Sequence, residues 1–131
     1  MPAGIGISFV TQPLNNAVTF LPADTTTAKN ILTAPGGYWR LIAINLTSDD
    51  TAAQVIDIFL RLGSTNYLLG SVSIPAGSGK AGAAPIEFFK QVMPDTEQGL
   101  DLSPTTSIQA AMEATITTAK TVTVQVIYGL Y

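Results

Sequence analysis

The sequence contains no cysteine and no histidine, and only 11% of its 131 residues are charged. Without these two residue types the chain lacks thiolate and imidazole ligands for zinc, haem or iron–sulfur clusters, and it has neither a cysteine nucleophile nor a Ser-His-Asp triad. No disulfide can form, so we expect stability to come from packing or from association. We predict no catalytic residue, no metal site and no cofactor.

Because the chain contains few charged residues, the classes of partner that it can bind are limited. A typical soluble domain is about 25% charged. The net charge here is −3, and the six basic residues are scattered, which leaves no electrostatic footprint for nucleic acid. No apolar run approaches the ~20 residues that span a bilayer. The opening residues MPAGIGISFV lack a basic start. We therefore expect no nucleic-acid partner, no membrane span and no signal peptide.

The chain is dominated by period-two alternation of β-branched and aromatic residues, which is typical of half-buried strands. The clearest case is 121–131, where one face carries Val122, Val124, Val126, Tyr128 and Leu130. Other strands are predicted over Ala17–Leu21, Lys29–Thr33, Tyr38–Thr47, Gln54–Leu62, Asn66–Ile74, Leu100–Leu102 and Ser107–Thr115. Over Pro85–Met93 we favour a short helix, the alternative being a strand at Ile86–Phe88.

Turn residues predict how these strands connect. Ser48–Thr51 and Ile116–Lys120 have the length and polarity of hairpin loops, and Pro75–Pro85 predicts an exposed, flexible loop. Seven or eight short strands with at most one short helix indicate one all-β domain, an antiparallel β-sandwich that is jelly-roll-like or immunoglobulin-like. We assign 17–131 to this sandwich. Residues 1–16 are either an N-terminal arm or a frayed terminus.

Carboxylates are the only groups left for acid–base chemistry. Asp49 and Asp50 lie in one predicted loop, and Asp95, Glu97 and Asp101 lie in another. A glycosidase needs two carboxylates facing each other about 5 to 9.5 Å apart, and nothing in this spacing brings the acids together. Turn residues are the simpler interpretation. No EF-hand calcium pattern and no complete phosphate-binding loop is present.

Aromatic and apolar residues supply the candidate contacts. Tyr38, Trp39 and Tyr67 suggest a sugar-binding platform, although a single Trp beside a turn is more often a core or interface anchor. Ile127 and Tyr131 fall on the otherwise polar face of the last strand, so a covering partner is expected. The candidate interface residues are Phe9, Trp39, Phe88, Phe89, Ile127 and Tyr131.

From Leu32 to Tyr131 the order of elements resembles the small β-sandwich virion proteins of tailed bacteriophages. The resemblance is carried by the turn Pro35-Gly36-Gly37, the strand end Asn45-Leu46-Thr47, and the closing segments Ser103–Ala111 and Val122–Tyr131. It implies a jelly-roll-like, non-enzymatic virion subunit that is assembled in the host cytoplasm.

Among such subunits, a capsid decoration or cement protein is favoured. Such proteins commonly form homotrimers and contact other virion proteins such as the major capsid protein. The resemblance also covers head-fibre, tail and baseplate components, so a receptor- or glycan-binding module is the alternative.

Overall fold

The structure is a computed structural model that describes residues 12–80, 83–93 and 99–131. It contains nine strands and one short helix within these ranges. In chain order they are β1 (Gln12–Phe20), β2 (Lys29–Leu32), β3 (Trp39–Ser48), β4 (Gln54–Leu62), β5 (Thr65–Ile74), β6 (Ile86–Glu87), α1 (Phe88–Val92), β7 (Leu100–Leu102), β8 (Thr106–Met112) and β9 (Val122–Leu130), with a 3-10 turn at Pro22–Asp24. No helix in these ranges has both the length and the apolar character needed to cross a membrane.

The strands form two antiparallel sheets, which confirms the predicted all-β sandwich. Sheet A has the order β1-β9-β3-β6, with β7 also paired to β3, and sheet B has the order β2-β8-β4-β5. Successive strands from β1 to β4 alternate between the sheets, whereas an immunoglobulin fold keeps its first two strands in one sheet. This interleaved order is that of a jelly roll.

The alternation of apolar and polar residues in the sequence correctly predicts which residues of the strands are buried. On β9, Val122, Val124 and Val126 are fully buried, and Gln125 between them is exposed. Inward side chains from both sheets form one hydrophobic cluster with Trp39 and the two phenylalanines of α1. Every buried side-chain nitrogen or oxygen of the described residues has a hydrogen-bond partner.

Both predicted hairpin loops are in fact crossings between the sheets, so those two predictions are wrong. β3 belongs to sheet A and β4 to sheet B, while β8 belongs to sheet B and β9 to sheet A. Packed sheets lie only about 10 Å apart, so a short polar loop spans that gap as readily as it reverses a strand. The connection between β4 and β5 is a true hairpin, with Leu62 opposite Thr65.

The segment after β5 is exposed, as predicted, at six of its nine described positions, but it is anchored at Ser78. Ser78 is fully buried, its carbonyl accepts from the Ser48 amide at 2.9 Å, and the Gly77 amide donates to the Asp50 carbonyl at 3.1 Å. The loop is therefore fastened to the end of β3 through backbone hydrogen bonds. Beyond it, Ile86 and Glu87 form a two-residue strand and the chain then enters α1, so the favoured helix and its strand alternative each describe part of the segment.

The sandwich has two different ends. One end carries the close of β3 and the crossings to β4 and β9. At the other end Trp39 pairs with Leu102 and Leu130 in sheet A, and Leu62 pairs with Thr106 in sheet B. The turn between β7 and β8 joins the sheets there, and the Trp39 indole nitrogen donates to the Ser103 carbonyl at 3.1 Å.

Helix α1 packs tightly against β5 at Gly70. A Cβ atom at this position would collide with Val92 Cγ1 and lie 3.1 Å from Phe88 Cζ. We expect Gly70→Ala to destabilise the fold by about 1–3 kcal/mol, because Phe88 is buried and Val92 packs against the core, so neither side chain can shift freely. The urea midpoint of unfolding measures this loss.

The control for that experiment is Gly37→Ala, since no atom lies within 4 Å of a Cβ built there. We expect its free energy of unfolding to stay within about 0.5 kcal/mol of the native value. Equal midpoints for Gly70→Ala and Gly37→Ala would show that α1 does not pack as described.

Candidate interaction surfaces

The centre of the outer surface of sheet A is uncharged, and it is bordered by Glu87 of β6, which pairs with Asn45, and by the ion pair of Arg40 with Asp101. Residues that face outward on β1, β9 and β3 meet in register, so that Asn15 and Ala43 flank Ile127, Ala17 and Asn45 flank Gln125, and Thr19 and Thr47 flank Thr123. We call this set of nine residues the neutral face. Its residues on β9 and β3 are half-buried except Gln125, which is exposed like the residues on β1. It offers hydroxyl and amide groups with small apolar side chains.

The outer surface of sheet B differs because it carries charge. Asp57 and Arg61 project from β4, and Glu113 follows β8. A side-chain hydrogen bond and the charge of Asp57 raise the pKa of Glu113, because the two carboxyl groups repel each other when both are ionised. Ser71 also donates to the Asp57 carboxylate. Charged groups lie within this surface, whereas those near the neutral face, Glu87, Asp49 and Lys80, lie at its borders.

Large apolar side chains collect at one end of the sandwich. Six of the seven exposed large hydrophobic residues among those described lie at the Trp39 end, with Leu21 as the exception. Tyr38, Tyr67 and Leu68 are the most exposed, at 69%, 55% and 60%. We call the six residues the apolar end; they are Leu14, Tyr38, Leu62, Tyr67, Leu68 and Tyr131.

A single ion pair lies at the rim of the apolar end. Arg40 Nε donates to Asp101 Oδ1 at 2.8 Å, and Arg40 Nη2 donates to Oδ2 at 3.2 Å. The Tyr131 hydroxyl also donates to Asp101, and the Arg40 guanidinium lies 5.9 Å from the Tyr131 ring centroid. Arg40, followed by Tyr131, holds the pKa of Asp101 below its usual value. This cluster neutralises its own charges.

The structure separates the six predicted interface residues. Trp39, Phe88 and Phe89 are core residues with at most 1% exposure, so they offer no surface to a partner. Ile127 lies on the neutral face and Tyr131 at the apolar end, while Phe9 lies outside the described residues. The suggested sugar platform loses Trp39, whose ring packs edge-on against Tyr128 at 6.0 Å.

The predicted arm of residues 1–16 overlaps β1. Residues 12–16 pair with β9 from Gln12 opposite Leu130 onward, so they belong to sheet A. Residues 1–11 lie outside the described ranges. For those residues the arm stays a prediction.

The sequence analysis does not predict the exposed apolar residues of the β4–β5 hairpin, although the sequence carries a signal for them. Tyr67, Leu68 and Leu69 form an apolar run of three, which a period-two strand cannot bury on one face. The pairing shifts here, with Ile58 opposite Gly70 and Phe59 opposite Leu68, so that Leu69 is the extra residue of a β-bulge.

At the opposite end, the loop acids hold the fold together. The Asp50 carboxylate accepts from the Ala52 amide at 3.0 Å, from Gln54 Nε2 at 2.8 Å and from the Thr117 amide at 3.0 Å. Burial opposes its charge, but these hydrogen bonds outweigh burial and lower the pKa of Asp50 far below its usual value. Asp49 accepts from the Thr121 amide at 2.7 Å in the same way.

Two shallow depressions lie beside these loops. One of about 250 Å³ and one of about 390 Å³ share Asp49 and Lys80, and Lys120 lines the larger. No group of three His, Cys, Asp or Glu residues able to hold a metal occurs in the part of the chain that the structure describes. Of the acids considered for catalysis, Asp49, Asp50 and Asp101 all make structural contacts, while Asp95 and Glu97 lie outside the described residues.

Comparison with known proteins shows similarity to a solved structure. No family model and no curated protein matches this chain. A chain of the structure described as "Cyanophage Pam1 capsid asymmetric unit" aligns with 100% of this chain and 94% of its own, at 22% identity and a TM-score of 0.49.

The role of Asp50 predicts a stability change. Asp50→Asn places an amide where three donors converge, and we expect a loss of about 3 kcal/mol at pH 7. Because folding lowers the pKa of Asp50, its carboxylate stabilises the native state above the unfolded pKa of about 3.9 and this contribution is lost as the pH falls below that value. Urea midpoints measured from pH 7 to pH 2 should therefore fall less steeply for Asp50→Asn.

The matched control is Glu113→Gln, which changes an exposed carboxyl group whose pKa is shifted upward. We expect no loss of stability at pH 7 from this variant, because it removes repulsion with Asp57. An unchanged midpoint for Asp50→Asn would show that the carboxylate does not hold the two loops.

Proposed function

We propose that this chain is a non-enzymatic structural subunit of a bacteriophage particle, specifically a capsid decoration or cement subunit. It would associate with copies of itself, as a homotrimer, and with the major capsid protein, and so reside in the virion after assembly in the host cytoplasm. The observation that carries the proposal is the pair of uncharged surfaces, the neutral face and the apolar end. The sequence resemblance to small virion proteins points the same way.

The physical support comes from the cost of removing charge from water. Protein interfaces are depleted of charged residues at their centres, because an imperfectly paired charge loses more in desolvation than it gains. All nine residues of the neutral face are uncharged. Apolar burial contributes roughly 25 cal/mol per Å², so covering these surfaces stabilises an assembly.

The acidic residues of the loops form hydrogen bonds within the fold, and this supports a structural role rather than a catalytic one. A general acid or nucleophile must reach a substrate with a free oxygen or proton. Asp50 instead accepts three hydrogen bonds from its own fold and is 1% exposed. Asp101 is held by Arg40 and Tyr131.

The alternative of glycan binding is weakened by the position of Trp39. Its ring is buried and its indole nitrogen donates to Ser103, so it cannot stack on a sugar. Tyr38 and Tyr67 remain exposed, but Tyr38 precedes β3 in sheet A and Tyr67 lies on β5 in sheet B. We therefore place these tyrosines in protein contacts.

The test is binding to capsids. Purified chain is added to DNA-free capsids of the phage that encodes it, and both the bound fraction and the temperature of capsid disruption are measured. We expect saturable binding and a higher disruption temperature, since a ligand at about 100 times its Kd stabilises the bound state by about 2.7 kcal/mol per site.

The control is Ser73→Lys, which adds a charge at an exposed position of β5 in the half of the strand away from the apolar end. It should bind as the native chain does. A folded native chain that neither binds capsids nor changes their disruption temperature would refute the cement role.

A further inference from the structure

We propose that two copies of this chain pack face to face through the outer surface of sheet B, related by a two-fold axis that runs across the strands over Phe59. The partner of this surface is thus a second copy of the chain. The contact lies on the opposite layer from the neutral face and joins copies two at a time. It therefore goes beyond the proposed function and is separate from the contacts of the proposed homotrimer.

The side chains of β4 determine what this surface presents. Ile58 is fully buried and points into the core. The alternate residues Asp57, Phe59 and Arg61 therefore point outward. β4 pairs with β8 without a register shift over this stretch, so the alternation is unbroken. Phe59 is half-buried, and beside it on β5 lies Leu68, which is 60% exposed. The surface has an apolar centre with a charged residue on either side.

The charges of this surface are separated along the strand. Asp57 lies two residues before Phe59 and Arg61 lies two residues after it, so each is about 7 Å from the centre. Glu113, which follows β8, lies beside Asp57, and a hydrogen bond to Asp57 together with repulsion from its charge raises the pKa of Glu113. One end of the surface is therefore acidic and the other end is basic.

Neither end is neutralised within one copy. Arg61 Nη1 donates to the Asn66 side-chain oxygen at 3.0 Å, which is an uncharged partner. The two ion pairs among the described residues lie elsewhere, so Arg61, Asp57 and Glu113 belong to none of them. An uncharged partner would desolvate these groups and leave them unpaired. The partner of this surface must bring an acid opposite Arg61 and a cation opposite the two acids.

A second copy that is turned about the two-fold axis brings both groups. The rotation reverses the strand direction and places Arg61 of each copy over Asp57 of the other, because the two residues are equally far from the axis. Phe59 and Leu68 lie side by side along the axis, so each meets its own counterpart. Charged groups then surround an apolar centre, as is usual in protein interfaces.

The charges also select this arrangement over the other alignment of two such sheets. Packed sheets keep their strands within about 30° of each other, so the strands of the partner run either in the opposite or in the same direction. In the same direction, Asp57 would lie over Asp57 and Arg61 over Arg61. Like charges placed opposite each other destabilise a contact. Reversed strands are therefore the arrangement that the charges favour.

The first test uses the absence of cysteine, which allows one thiol to be placed at a chosen position. In Leu68→Cys the thiol lies on the two-fold axis, about 10 Å from its counterpart across the packed sheets. A bismaleimide of that span should join the chains into covalent pairs. Denaturing electrophoresis measures the yield.

The control is Ser73→Cys, an exposed position on the same face of the sheet. Ser73 pairs with Val55, which lies four residues from Phe59 along β4. The thiol is therefore about 14 Å from the axis, and the two copies of it are about 27 Å apart. We expect no covalent pair from this variant under the same conditions.

The second test exchanges the charges. Arg61→Asp makes both ends acidic, and we expect pairing to weaken about 30-fold because the two-fold axis repeats each repulsive contact. Adding Asp57→Arg places a cation opposite each new acid and keeps the native net charge. This double variant should recover the native pairing. Both are measured as the yield of covalent pairs over a dilution series in the Leu68→Cys background.

Several outcomes would overturn the inference. These are no covalent pair from Leu68→Cys, equal yields from Leu68→Cys and Ser73→Cys, or a charge-exchanged chain that stays unpaired although it unfolds at the native temperature. A yield that levels off at two chains in every three would indicate a three-fold contact instead, and this would also overturn it.

The capsid test separates this inference from the proposed function. A chain that stabilises capsids but does not form the pair would refute only the face-to-face contact. A chain that forms the pair but has no affinity for capsids would refute only the cement role.

Discussion

The buried carboxylate of Asp50 is the one charge that the sandwich encloses among the described residues, and much of the architecture depends on it. Its three donors come from the loop after β3, from Gln54 at the start of β4 and from the loop before β9. Both loops carry the chain from one sheet to the other. The carboxylate therefore fastens the two crossings between the sheets to each other. Hydrogen bonds from backbone and amide groups offset the desolvation that its burial requires.

Polar contacts hold the sandwich together at the Asp50 end, whereas side-chain packing closes the core at the Trp39 end. There Trp39 is anchored by a single hydrogen bond to Ser103 and by its edge-on contact with Tyr128. The crossing from β7 to β8 is too short to spread over the hairpin beside it, so Tyr67 and Leu68 remain exposed. Fully burying a side chain of this size is worth roughly 1.5–3 kcal/mol. The fold thus retains unsatisfied apolar area at a defined place.

The sequence predicts the strands well because alternation is a local property. The buried valines of β9 and the three-residue strand β7 are found where the pattern places them. Strand pairing is not local, and a loop such as 49–53 has the same composition whether it turns a hairpin or crosses between sheets. Burial of aromatics is equally non-local. Trp39 and Phe88 resemble interface anchors in the sequence, and only the meeting of both sheets with α1 shows that they fill the core.

The edges of the sheets show why the chain can do with so little charge. Soluble sheets commonly protect their edge strands with charged residues, especially lysine, because a bare edge pairs with other chains. β1 and β5 are edge strands without a charged residue. Pro13, the bulge at Leu69 and the packing of α1 on Gly70 interrupt these edges but do not repel another chain. Charges added along β1 would protect this edge, but a partner that covers the neutral face would then have to desolvate them. The uncharged β1 strand therefore agrees with the proposed function, in which a partner covers this surface.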